Sequence, residues 1–346
     1  MYLDHFGLAR LPFQVTPDPH FYFDSAAHRR AMSTFAYGLS KGEGFVVVTG
    51  EVGAGKTTLV QYMLDRLDTD QITVAKLNTS QLAAESLIRY VARDFGCRPD
   101  GADKADALAS LRERLVDQFD RGRLPLLIVD EVQALPHDSL EELRMLSNIQ
   151  AGGAPVLQIL LVGQPQFRAR LDDPDLEQLR QRVVASYHLN GLDPSEVHDY
   201  IAHRLREAGW DGRRIFGADS IDPICRVTKG NPRQINRLCD RLLFNAYFNS
   251  AQTVHAQDVA DVVAEMADEG LITRPADRAA DTAASRTGAS AEDETPGDAG
   301  PDAASGEREI RPTVVHEVAR LRALLAGQRA RLDRIAEAAR VRDGQR

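Results

Sequence analysis

The sequence predicts a three-layer α/β sandwich on a mostly parallel sheet, followed by a small all-helical domain. Three observations carry this. The apolar run "FVVVTG" (Phe45–Gly50) leads into a glycine-rich turn and then a helix-like segment. A second apolar run, in "RLPLLIVDEVQ" (Arg123–Gln133), ends in two carboxylates. Around them, short apolar runs alternate with segments whose apolar residues recur every three or four positions, the pattern of strands and helices in layers.

Taken in order, "FVVVTG" reads as a buried strand and "KTTLVQYMLDRL" as the helix after the turn. "ITVAKLN" (Ile72–Asn78) is a strand, and "AAESLIRYVARDFG" and "KADALASLRERLVDQFD" are helices. "LLIVD" is a third strand and "SLEELRMLSNIQ" a helix. "VLQILLVGQP" (Val156–Pro165) is a fourth strand with its exit. "LEQLRQRVVASYHLNGLD" is a short helix feeding a fifth strand near "ASYHL". From Leu192 the pattern turns wholly helical. "LDPSEVHDYIAHRLREAG" has Asp193 or Ser195 as cap and Glu196 in its first turn. "DPICRVTKGNPRQINRLCDRLLFNAYFNS" gives two helices split at "KGNP", and "HAQDVADVVAEMADEG" a last one.

The chemistry lies at the strand ends, where a parallel sheet places its ligand. Gly50, Glu51, Val52, Gly53, Ala54, Gly55, Lys56, Thr57 and Thr58 contain the complete spacing G-x-x-x-x-G-K-T. The glycines let backbone N–H groups curl around a phosphate, and the helix start adds its unpaired donors and positive end. Lys56 is placed for the β- and γ-phosphates and the Thr57 hydroxyl for Mg²⁺. Asp130, at the end of the third strand, is a second Mg²⁺ ligand, direct or through water. Glu131 beside it is placed to orient or deprotonate an attacking water. That carboxylate pair points to hydrolysis rather than transfer to a metabolite. No N-K-x-D stretch occurs, which disfavours GTP. Gln164, just past the fourth strand, is a candidate for the γ-phosphate or the water, and equally a turn residue before Pro165. Arg180 and Arg182, before the fifth strand, are solvated arginines or reach a neighbouring subunit's phosphate. Arg233, after Gly230, is a phosphate contact or a surface arginine.

Composition bounds the rest. The 346 residues are 43% apolar with a net charge of -9, which argues against a general nucleic-acid coat but not against a local basic patch. No run of about 18 apolar residues suggests a membrane span. The start, "MYLDHFGLARLPF", does not read as a signal peptide. Cys97, Cys225 and Cys239 form neither a zinc pattern nor a disulfide framework. The expectation is a cytoplasmic protein.

The segments "FGLARLPFQVTPDPHFYF", "GEVGAGKTT", "LLIVDEVQ", "LLVGQP", "LRQRV" and "GNPRQINRLCD", in this order, resemble AAA+ ATPases of the ExeA type. These are secretion-pathway ATPases, and the subfamily encoded with exosortase and exopolysaccharide genes is the nearer match. The resemblance covers roughly residues 1 to 270. It implies an AAA+ fold with sheet order 5-1-4-3-2 and a helical lid, with ATP and Mg²⁺ as cofactors. It implies Walker A at Lys56 and Thr57, Walker B at Asp130 and Glu131, and sensor 1 at Gln164. Arg182 resembles the arginine finger, with Arg180 the close alternative, and Arg233 resembles the sensor-2 arginine. The region of Pro12, Phe13 and His28 resembles the segment that packs near adenine. A homo-oligomer formed through the ATP sites is implied. The longer secretion relatives carry a transmembrane segment and a peptidoglycan-binding domain that are not read in this sequence, so peptidoglycan binding is not carried over.

The expected organisation is an α/β nucleotide-binding domain over 1–191, a helical lid over 192–270, an acidic disordered linker over 271–310 and a basic helix over 311–346. Asp277–Glu309 holds nine acids and three arginines among Ala, Gly, Pro, Ser and Thr. In 311–346, nine arginines face four acids, and Val314, Val318, Leu321, Leu325, Leu332 and Ile335 share a heptad stripe that Gln328 interrupts. A coiled-coil or partner-docking helix fits first, an anionic membrane surface second, DNA third and a solvated helix otherwise. The functional expectation is an ATP-driven switch or motor on a membrane-associated export, exopolysaccharide or exosortase-linked apparatus, peripheral at the inner face of the membrane. The alternative is a DNA-binding ATPase of the transposition-helper type, motivated by Arg213, Arg214 and the arginine-rich C-terminal stretch.

Overall fold

The computed structural model describes residues 2–16, 18–67, 70–78, 83–98 and 103–272. The linker and basic-helix expectations for 273–346 lie outside the described residues. The chain divides into two compact units, an α/β unit and a helical unit.

The α/β unit contains a five-stranded sheet of β1 (Phe45–Gly50), β2 (Ile72–Leu77), β3 (Leu124–Val129), β4 (Gln158–Gly163) and β5 (Val183–Leu189). Their spatial order is β2-β3-β4-β1-β5 and every pairing is parallel. This is the order the resemblance implies. β1, β3 and β4 are buried at all six positions, which is why they read as continuous apolar runs rather than as an alternation. Their side chains still divide by parity. Phe45, Val47, Leu127, Val129, Ile159 and Leu161 enter one core, with α4 (Ala84–Asp94), α5 (Lys104–Asp120) and α6 (His137–Leu146). Val46, Val48, Leu126, Ile128, Leu160 and Val162 enter the other, with α2 (Ala26–Lys41) and α3 (Lys56–Leu64). Three layers follow from this double-sided burial.

Three boundaries differ from the sequence expectation. β5 starts at Val183, before "ASYHL". α6 ends at Leu146, and Gln150–Ala151 instead pairs with Ala154–Pro155 in a two-residue ladder around Gly152 and Gly153, both at positive φ. α3 ends at Leu64 rather than Leu67.

The helical unit contains residues 2–15, 197–230 and 234–272. Its helices are α1 (Tyr2–Phe6), α7 (Pro194–Glu207), α8 (Ile221–Thr228), α9 (Pro232–Phe248) and α10 (Ala256–Asp268), α7 and α9 starting within the α/β unit. The "KGNP" break works as read: Lys229 and Gly230 take left-handed backbone after α8, and Pro232 opens α9. The N-terminal fifteen residues, expected with the α/β domain, group here instead. Tyr2 donates to Asp240 at 2.6 Å, and Ala9 N–H donates to Ala208 O at 2.7 Å. The buried Arg204 guanidinium donates to the carbonyls of Pro12 and Gln14. Charge-assisted bonds to loop carbonyls, where Gln14 O also accepts from Asn236 Nδ2 at 3.1 Å, explain why an arginine is buried there. Among the described residues, no helix is long and apolar enough to cross a membrane.

Candidate active site

β4 lies between β1 and β3, so the carboxyl ends of all three strands converge. Gly50 ends β1, Asp130 follows β3 and Gln164 follows β4. All of these residues belong to the α/β unit, as do Asn231–Arg233.

The loop after β1 turns at Gly53 and Gly55, with φ of 84° and 96°. Only glycine takes such angles without strain. Gly53 is also crowded: a Cβ there would lie 2.3 Å from Arg233 Cβ and 2.9 Å from Asn231 Oδ1. Asn231 Nδ2 donates to Val52 O at 2.9 Å, and Arg233 N–H donates to Gly53 O at 3.2 Å. Arg233 therefore sits on the loop, as its sequence position suggested, while its side chain is exposed. Behind the loop, His28 is buried and makes a backbone hydrogen bond to Gly55. Ser25 Oγ lies 2.7 Å from His28 Nδ1 and accepts from the His28 N–H as the cap of α2. Burial lowers the His28 pKa to about 4, against the opposing effect of Gly55. The ring is neutral at ordinary pH. Phe13, grouped with His28 in the sequence reading, is buried in the helical unit against Phe216.

Lys56 opens α3 and is buried. Its ammonium donates to Gly50 O at 2.7 Å and Glu51 O at 3.0 Å. Burial holds it below the usual lysine range, while the carboxylates of Glu131, Asp130 and Glu51 pull it upward. A buried cation attached only to neutral carbonyls is the partner an anion would complete. The exposed Thr57 hydroxyl donates to Asp130 Oδ2 at 3.4 Å. These two oxygens suit a hard cation. Among the described residues there is no group of three or more His, Cys, Asp or Glu able to hold a metal. Mg²⁺ characteristically takes one or two protein oxygens and completes its shell with phosphate and water, so the residues present fit a Mg²⁺–nucleotide. Ala54, within the loop, is buried, and Glu51, Val52 and Thr58 contribute to the path of this segment.

Glu131 stands in left-handed backbone, φ 52° and ψ 39°. Its N–H donates to Asp130 Oδ1 at 2.9 Å. Its Oε2 accepts from Gln164 Nε2 at 3.0 Å and from Gln133 Nε2. Burial raises the Glu131 carboxyl, but the two amides and the Lys56 ammonium outweigh it and hold it below the usual carboxylate range.

The two arginines before β5 are elsewhere. Arg182 O accepts from Phe45 N at the start of β1, whereas the loop follows its end. Five residues of strand separate them, about 17 Å at the usual rise. Arg180 is exposed and ion-paired with Glu177 and Asp172. Arg182 is half-buried with Nη1 3.5 Å from Ser147 Oγ. The structure thus brings together Lys56, Thr57, Asp130, Glu131, Gln164 and Arg233, and leaves Arg180 and Arg182 at the far end of the sheet. Gln133 and His28 were not selected as site residues from the sequence. An amide two positions after the acidic pair was a visible signal for Gln133, whereas His28 had only the resemblance.

Comparison with known proteins bears on the family and the fold. A family described as an AAA domain matches residues 39–171. General secretion pathway protein A of Aeromonas hydrophila is 35% identical over 274 residues, 78% of this chain and 50% of that protein. The chain thus spans about half the length of that curated relative. Among solved structures, Cdc6p from Pyrobaculum aerophilum aligns with a TM-score of 0.55 at 16% identity, covering 72% of this chain and 71% of that one. The Aeropyrum pernix ORC1 protein, solved in complex with DNA, aligns with a TM-score of 0.52 at 17% identity, covering 74% and 69%. At these identities the two structures show the shared fold.

Proposed function

Because the chain is an ATP-hydrolysing P-loop NTPase of the AAA+ class, we propose that it is a switch or motor that couples ATP turnover to a membrane-associated export apparatus, of the secretion or exopolysaccharide and exosortase-linked kind. The observation that carries the catalytic part is the Glu131 carboxylate, held by Gln164 beside the Lys56–Thr57–Asp130 group. The relative named for general secretion supports the export part.

Each residue has a role in this reading. The loop N–H groups from Gly50 to Thr58 and the start of α3 bind phosphate oxygens. Lys56 leaves the loop carbonyls and neutralises the outer phosphates. Thr57 and Asp130 hold Mg²⁺, which supplies charge neutralisation and orientation of the phosphates when bound. Glu131 orients the attacking water and accepts its proton. Gln164 holds that carboxylate and reads the γ-phosphate. Arg233 follows the loop through Gly53. Arg182, or Arg180, serves a neighbouring copy in a homo-oligomer, since each lies far from its own loop. In this reading the protein works at the cytoplasmic face of a membrane, and residues 311–346 dock it to the export partner.

The DNA-handling alternative rests on Arg213, Arg214 and the C-terminal arginines. Arg213 is engaged by Asp211 at 2.6 Å, and no observation favours that reading. Membrane-fraction pull-down with full-length protein, set beside duplex-DNA binding at low and moderate salt, tests the two. Recovery of membrane-side partners supports the proposal. Salt-sensitive DNA binding without such recovery replaces it.

A further inference from the structure

Gln133 lies in the short 3-10 turn Val132–Ala134 that follows Glu131, and the chemistry above does not use it. Its amide bonds at both ends. Nε2 donates to Glu131 Oε2, and Oε1 accepts the backbone N–H of Gln164 at 2.9 Å. Gln164 itself donates to the same carboxylate oxygen through its side chain, at 3.0 Å. The three residues close a ring in which the carboxylate is referenced to the backbone at the end of β4. The turn is fixed from behind by Arg170, whose Nη1 donates to Gln133 O at 3.3 Å and Leu135 O at 2.6 Å. Space for the ring exists because residue 163 is glycine: a Cβ there would lie 2.7 Å from Val132 Cγ1 and 2.9 Å from Gln133 Oε1.

We propose that Gln133 is a positioning residue for hydrolysis, whose amide fixes the Glu131 carboxylate to the end of β4 so that the base and Gln164 are aligned together. Glu131 needs such a holder because it stands in left-handed backbone, φ 52°, immediately outside the sheet. There the ladder no longer fixes the chain, and a carboxylate on a turn has several rotamers of similar energy. Both amides bond Oε2, which leaves Oε1 available to a water. A side chain here must donate to a carboxylate and accept from an N–H at the same time. Among side chains of this length, the primary amide of Gln does both; Glu lacks the donor, and Met lacks the donor and offers only a weakly accepting sulfur. Positional errors of about 1 Å at a catalytic group cost orders of magnitude in rate, so loss of the ring is read in turnover rather than in nucleotide affinity.

The inference rests on Glu131 being the base, and the test separates the two. Full-length protein carrying Gln133→Met, which keeps length and volume, is compared with wild type, Glu131→Gln and the double variant. Steady-state turnover, affinity for a non-hydrolysable ATP analogue and thermal melting are measured on each. Gln133→Met is expected to lower kcat at least tenfold, with KM and analogue affinity within twofold and melting within a few degrees. In the Glu131→Gln background the same change is expected to have no further effect on residual turnover, because the group being positioned has lost its function. Gln133→Glu, which keeps the acceptor but repels Glu131, is expected to lose at least as much. Wild-type kcat in Gln133→Met, a rise in kcat, or a loss matched by weaker affinity overturns the inference. Wild-type turnover in Glu131→Gln overturns the base reading itself, and the inference with it.

Discussion

The backbone N–H of Arg233 donates to the carbonyl of Gly53, 3.2 Å away, at the turn of the phosphate loop. Gly53 has φ of 84°, and a Cβ there would overlap Arg233 Cβ at 2.3 Å. Gly53→Ala therefore meets two penalties together, left-handed backbone and a clash with main-chain-linked atoms. A cost of about 1–3 kcal/mol is expected for the backbone alone. The predicted outcome is at least tenfold weaker ATP-analogue binding, measured by fluorescence titration. Gly96→Ala, at a positive-φ position with open space around it, is predicted to leave binding unchanged.

His28 gives a pH prediction. Its folded pKa is about 4 against 6.5 for a free side chain, because it is buried. Below pH 6.5 the unfolded chain takes up the proton first, so stability falls from pH 6.5 down to about 4, and no contribution exists above 6.5. At about 1.4 kcal/mol per unit the loss approaches roughly 3 kcal/mol. Denaturant unfolding between pH 7 and 4 is expected to show this fall in wild type and a shallower one in His28→Gln. Parallel curves would remove the buried neutral ring from the account.

Arg180 and Arg182 give an assembly prediction. Neither sits near its own loop, so either acts on a neighbour or neither acts on nucleotide. Turnover per chain is predicted to rise with protein concentration. Mixing an Arg182→Ala protein with a Glu131→Gln protein is predicted to recover part of the activity that each lacks, since one mixed interface holds a good copy of both. If Arg180 is the residue that reaches across, Arg182→Ala is near normal and Arg180→Ala shows the complementation. Flat specific activity with a monomer by light scattering throughout would count against both.

The C-terminal stretch gives a fourth. The last described helix is closed by the Leu271 N–H, which donates to Met266 O at 2.8 Å. A chain ending at Ile272 keeps that closure. It is predicted to bind ATP and melt within about 2 °C of the full chain while losing recovery of membrane-side partners. Leu321→Asp with Leu325→Asp in the full chain is predicted to copy the loss of partners. Full recovery by the shortened chain would place docking elsewhere.

What was legible in the sequence was local. Each central strand is buried on both faces, so it appears as an unbroken apolar run, and the glycine loop follows β1 without interruption. Lys56, Thr57, Asp130 and Glu131 could be named because their neighbours in sequence define them. Gln164 was legible as a strand exit, but its pairing with Glu131 was not, since it depends on β4 lying beside β3. The same non-local step hid Gln133, whose two partners are 2 and 31 residues away. His28 was obscured for a different reason: a histidine on an amphipathic helix reads alike whether it meets solvent or the underside of Gly55. The resemblance puts the N-terminal fifteen residues with the α/β domain near the adenine, whereas Tyr2 bonds Asp240, 238 positions along the chain.

The central claim is that Glu131 performs the hydrolytic step on a nucleotide held by Lys56. The direct measurement is equilibrium binding of ATP alongside steady-state phosphate release, for wild type, Lys56→Ala and Glu131→Gln. Glu131→Gln keeps the shape of the side chain and loses the base, so wild-type affinity with turnover reduced at least a hundredfold is predicted. Lys56→Ala removes the buried charge partner and is predicted to lose binding. Phosphate release by Glu131→Gln at the wild-type rate would contradict the account.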